Sequence, residues 1–159
     1  MGRFFALVGE QLDLWVRQLA WLNTAPDIEH RGPGPKPLPV SRIAAMRERG
    51  EPILWPLNPA PHVTDWLLDI GPAAAGPMGD VPLPWTEITE WQRNVGIELD
   101  AWEARTIRAL SRAFVSQRHA AERPNCPPPY SGIDDAVHVV RDKVTDQFAA
   151  MLKAVESRG

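Results

Sequence analysis

Seventeen prolines, most of them in clusters at 33–39, 52–61, 72–84 and 124–129, constrain this chain more than any other feature. A proline removes a backbone donor, stops a continuing helix and pushes the residue before it towards extended backbone. The chain therefore cannot be one bundle with short turns. Helices are confined to the stretches between clusters, and the clusters become connectors longer than compact domains usually tolerate without a use for them.

The stretches between clusters carry helical periodicity. Over residues 3–23, Phe4, Val8, Leu12, Trp15, Leu19 and Leu22 step by four or three, and Leu7, Leu14 and Trp21 add a second stripe. A helix so broadly apolar needs cover on more than one side, from the rest of the chain, a partner or a second copy. Residues 24–40, with Gly32-Pro33-Gly34-Pro35-Lys36-Pro37, read as an extended connector. Ser41 suits the cap of a short helix over 42–49, which Gly50 stops. Ile53-Leu54-Trp55, between Pro52 and Pro56, is an extended apolar segment able to dock as an edge strand. Pro59 and Pro61 pre-set a helix with Val63, Trp66, Leu67 and Ile70 on one side, ended by Gly71-Pro72. The Gly-, Ala- and Pro-rich stretch 71–84 reads as loop without regular structure.

Residues 85–114 read as two helices joined by a tight turn, with Trp85, Trp91 and Trp102 close together. Thr86 suits the cap of a helix over 87–93, in which Ile88 and Trp91 share a face. Gly96 is a natural break, and Asp100-Ala101-Trp102-Glu103 fits a capping box. On the long helix that follows, Thr106, Leu110, Ala113, Phe114 and Gln117 lie on one side and Arg105, Arg108 and Arg112 on the other. After Arg123-Pro124-Asn125-Cys126-Pro127-Pro128-Pro129-Tyr130, Ser131 suits the cap of a last helix whose Val137, Val140, Val144, Phe148, Met151, Leu152 and Val155 repeat almost by heptads.

The expected organisation is an N-terminal amphipathic helix (1–23), a Pro-rich connector with a short helix (24–58), a Trp-rich helical module (59–118), a Pro-rich linker (119–132) and a C-terminal helix (133–157). The expected fold class is all-α: amphipathic helices joined by Pro/Gly-rich loops, with a central helix-turn-helix-like pair.

Composition narrows the function. The formal charge of −3 argues against a general phosphate-backbone binder. The lone Cys126 leaves no intramolecular disulfide or cysteine cluster. Glu10, Gln11, Asp13 and Arg17 interrupt the first apolar run too soon for a signal core or membrane span. His30, His62, His119 and His138 show no i,i+4 spacing and no His-Glu-x-x-His, so no metal is expected. Stretch 71–84 lacks the Gly-Lys-Ser/Thr ending of a phosphate loop. Asp65/Asp69 and Glu87/Glu90 read as solvated or capping carboxylates rather than a hydrolytic pair, and Cys126 has no assignable base. Neither an enzyme nor a cofactor is expected. Pro127-Pro128-Pro129-Tyr130 matches a WW-domain ligand, but a proline connector explains it equally well. Arg105, Arg108 and Arg112 form a possible basic face for DNA, opposed by acids at Glu87, Glu90 and Glu103.

Over residues 59–117 the pattern Trp-x-Glu-Ile-x-x-Trp (from Trp85), followed by Gly-x-x-Leu-x-x-Trp-Glu (from Gly96), sits between Trp66-Leu67-Leu68 and Ile107-Arg108-Ala109-Leu110-Ser111-Arg112-Ala113-Phe114. In this it is similar to the tail assembly chaperones of tailed bacteriophages. The resemblance implies a non-enzymatic helper, in the cytoplasm of the bacterial host, that coats the tape-measure protein before the tail tube polymerises and recruits tail-tube subunits. Residues 1–58 lie outside it. Trp66, Trp85, Ile88, Trp91 and Trp102 are the residues expected to bind a partner, with core packing as the alternative for each. A structural virion protein of the tail or head-completion type, and a small helix-turn-helix DNA-binding regulator, are the competing readings.

Overall fold

In the computed structural model, residues 2–133 are described. The chain divides into two compact units, Met1–Pro129 and Tyr130–Gly159. Of the second, residues 130–133 are described, and Ile133 there is exposed. The expected C-terminal helix and its heptad-like stripe lie outside the described residues.

The first unit is mostly helical, with one small sheet: α1 (Gly2–Asn23), α2 (Arg42–Glu48), α3 (Pro61–Ile70), β1 (Ala74–Gly76), β2 (Gly79–Val81), α4 (Trp85–Val95) and α5 (Ala101–Ala121). Its core follows from the i,i+4 line Val8, Leu12, Val16 and Ala20 on α1. That line packs along α5, against Ile107, Leu110, Phe114 and Val115. Val63 and Leu67 of α3, Leu83 and Ile88 close the cluster, with Trp15, Leu19, Trp66 and Trp102 packed at its margin. The buried line of α1 is rotated from the one read in the sequence. Val16 and Ala20 are inside, whereas Phe4 and Leu7, near the helix start, are exposed.

Helix ends obey local chemistry. The Ser41 hydroxyl accepts from Ala44 N, and Pro61 opens α3. Gly96 adopts the left-handed conformation (φ 71°) that ends α4, with its N–H donating to Gln92 O. Asp100 and Glu103 form a reciprocal capping box at 2.8 and 2.9 Å. The expected Thr86 cap is not used: α4 begins at Trp85, two residues before the expected start at Glu87, with Pro84 as the extended residue before it. Among the described residues, Ile53-Leu54-Trp55 pairs with no strand. Instead, Gln18 Nε2 donates to Leu54 O (2.9 Å) and Trp55 stacks on Trp15, holding the segment against α1.

The all-α expectation is corrected at 71–84. That stretch contains an antiparallel hairpin, β1 with β2, in the register Ala74 with Val81 and Gly76 with Gly79. Its anchors come from α5. Leu83 N donates to the buried Ser111 hydroxyl, which donates to Pro72 O, each at 2.8 Å, and Arg118 pairs with Asp80 at 2.7 Å. Helix α4 packs chiefly on α3, and α5 chiefly on α1.

Candidate functional site

The tryptophans expected to bind a partner divide by burial. Ile88 is 1% exposed and Trp91 9%. Both are core, because α4 turns that face onto α3. Trp91 Nε1 donates to Asp69 Oδ2 (2.7 Å), and its ring meets Trp66 at 6.3 Å between centroids. Trp66 is half-buried and also receives the His62 ring edge-on at 5.1 Å. Trp102 is half-buried beneath Phe5, 5.2 Å away. Trp85 remains 46% exposed. Ile88 and Trp91 therefore serve packing, and a surface role is left to Trp85 and to the edges of Trp66 and Trp102.

The three arginines do not share one open face. Arg105 and Arg112 are exposed, but Arg108 is half-buried, with its guanidinium 5.1 Å from the centre of the Trp85 ring. Its Nε–H is buried without a hydrogen-bond partner. This arginine supports the half-exposed Trp85 indole. Among the described residues, no group of three or more His, Cys, Asp or Glu side chains could hold a metal ion.

A feature not identified from the sequence lies at the other end of α1. The connector 24–41 does not run free. Asp27 N donates to Glu122 O (2.7 Å), and Trp21 Nε1 donates to Cys126 O (2.9 Å). Arg42 Nη2 donates to Arg123 O (2.9 Å) and its Nη1 to Thr24 O (3.4 Å). These bonds fasten the end of α1, the start of α2 and residues 122–126 to one another. Between α1, α2 and the connector they leave a cleft of about 970 Å³, with Trp21, Ile28, Leu38, Val40 and Met46 among its apolar lining. Leu38 is 87% exposed, and Ile28 and Val40 are exposed beside it.

Charge around the cleft is mostly paired. Lys36 meets Asp27 at 2.8 Å and Arg49 meets Glu51 at 2.6 Å. The hydrogen bond from Lys36 holds the Asp27 carboxyl below its usual pKa, and that from Arg49 does the same for Glu51. Burial lowers the Arg42 pKa, with Cys126 acting weakly in the other direction. No helix among the described residues is long and apolar enough to cross a membrane. Comparison with family models, with curated proteins and with solved structures found no match.

Proposed function

We propose that this chain is a non-enzymatic assembly helper that holds an unassembled, largely helical client. The observation that carries this reading is the apolar cleft with its uncovered rim of Ile28, Leu38 and Val40. Exposed apolar surface gathered around a concavity is what recognition of an apolar peptide face requires. The exposed Phe4, Leu7 and Trp85 add further surface of the same kind.

The resemblance over residues 59–117 gives the client a name. It is the tape-measure protein of a tailed phage, kept soluble in the host cytoplasm until tail-tube subunits are recruited around it. A tape measure is a long helical chain whose apolar stripes stay open until the tube encloses it. Helices on proline connectors suit a surface that must fit such a chain.

The test is purification of the tagged chain from cells expressing its neighbouring genes, with captured proteins read by mass spectrometry. Recovery of a very long helical protein together with a tube subunit is expected. Recovery of the chain alone, or with DNA, would contradict the reading. So would its presence in purified particles, which would mark a structural part of the virion.

A further inference from the structure

The stripe that α5 turns to solvent carries arginines and no carboxylate. At the helical repeat, Ala101, Arg105, Arg108, Ala109, Arg112 and Ser116 fall on one arc of about 100°, opposite the buried Leu110 and Phe114. All six are exposed except the half-buried Arg108. The acids closest in sequence are engaged elsewhere. Glu103 accepts from Asp100 N at 2.9 Å in the capping box and lies 3.8 Å from His62. Glu90 meets Arg93 at 2.7 Å. Glu87 stands two residues beyond Trp85 on α4 and so does not share its face. Lys36, Arg49 and Arg118 each have a carboxylate within 2.8 Å. Arg105, Arg108 and Arg112 have none among the described residues.

An aromatic surface lies beside the middle of the stripe. Arg108 rests against the Trp85 ring, 5.1 Å from its centre, and leaves that tryptophan half open. Trp and Arg are the side chains that most often dominate a protein interface. Ala101, Ala109 and Ser116 are small, so a partner can approach the helix closely. The extent of the stripe selects among anionic partners. Its open cations, Arg105 and Arg112, stand two turns apart, about 10 Å along the axis. The exposed Asp100 lies before them, and Glu122, 3.9 Å from His119, lies after them. A nucleic-acid strand continuing along α5 would carry its phosphates into these carboxylates, on a chain whose formal charge is already −3. A polypeptide presents carboxylates only where its sequence places them, so a short acidic stretch matches this short stripe.

We infer that this stripe docks an acidic stretch of the helical client, with two carboxylates about seven residues apart on Arg105 and Arg112 and an apolar side chain between them on Trp85. The inference rests on the client-binding reading. It adds a requirement on the client that the cleft, which shares no residue with the stripe, does not impose.

The experiment titrates two Ala-rich helical peptides of about 16 residues into the full chain, labelled with nitrogen-15 and followed by NMR. One carries Glu at two positions about seven apart with a Leu midway, and the other carries Gln at both positions. At low salt the Glu peptide should shift the Trp85 indole and the amides of 105–112, and bind about tenfold more tightly than its Gln twin. Arg105→Glu with Arg112→Glu, both at exposed positions and checked for folding by circular dichroism, should weaken the Glu peptide by about tenfold or more. Trp85→Ala should weaken both peptides. Equal binding of the two peptides, shifts confined to other residues, or indifference to the double charge reversal would overturn the inference. So would an oligothymidylate of about 12 nucleotides that shifts the same residues and binds more tightly than the Glu peptide, which would assign the stripe to nucleic acid. If neither peptide binds while the tagged chain still captures its client, the stripe assignment falls and the client-binding reading stands. If the Glu peptide binds as expected but no client is captured, the reverse holds.

Discussion

Trp85, Ile88 and Trp91 sit within two turns of one another on α4 and do different work. Ile88 is enclosed by the core, so Ile88→Ala should cost about 2–5 kcal/mol in urea denaturation. Trp85 leans on Arg108 with half its surface open, so Trp85→Ala should cost no more than about 1 kcal/mol. Equal losses at the two positions would mean that α4 does not present the faces described. Ser111 is the residue the sequence hid best. A serine between Leu110 and Arg112 reads as ordinary helix surface, yet it is fully buried and bridges Leu83 N to Pro72 O. Ser111→Ala leaves both backbone groups unpaired and should cost about 1–3 kcal/mol, whereas Ser116→Ala, at an exposed position, should be nearly neutral.

Among the elements, those with local causes were legible. The period of the apolar residues located α1, α3 and α5, Gly96 marked the end of α4, and Asp100 with Glu103 marked the start of α5. Asp100→Ala should cost about 1 kcal/mol, measured by thermal or urea unfolding. The hairpin was not legible, because its causes are distant. Strands of Ala-Ala-Gly and Gly-Asp-Val show no apolar alternation, and their position is set by Ser111 and Arg118 of α5. Gly76 is the tight point of that hairpin. A Cβ there would stand 2.8 Å from Gly79 O and press on Val81. Gly76→Ala should therefore raise amide exchange across 74–81 while leaving the helices protected. Unchanged exchange in the hairpin would contradict the close approach.

At the scale of the whole molecule, the cleft depends on contacts that no short window contains. Trp21 and Cys126 are 105 residues apart in sequence, and Arg42 and Arg123 are 81 apart. Sequence patterning pointed instead to the tryptophans of 59–118 and treated 24–58 and 119–132 as connectors. The carboxylates beside the cleft give it a pH dependence. Asp27 and Glu51 have pKa values lowered by Lys36 and Arg49. What they contribute is complete above the ordinary carboxylate pKa of about 4 and is lost as pH falls through the lowered values. The part of the chain's tryptophan fluorescence that Trp21→Phe removes should hold steady from about pH 7 to 5 and change below about 4. A transition near neutrality would point to a group other than these carboxylates.

Client binding is the central claim, and co-expression of the chain with a tape-measure segment, followed by size-exclusion chromatography with light scattering, tests it most directly. The account predicts a soluble complex containing both proteins that dissociates when Leu38→Glu is introduced. A segment that aggregates as it does alone, with this chain eluting at its unbound mass, would contradict it.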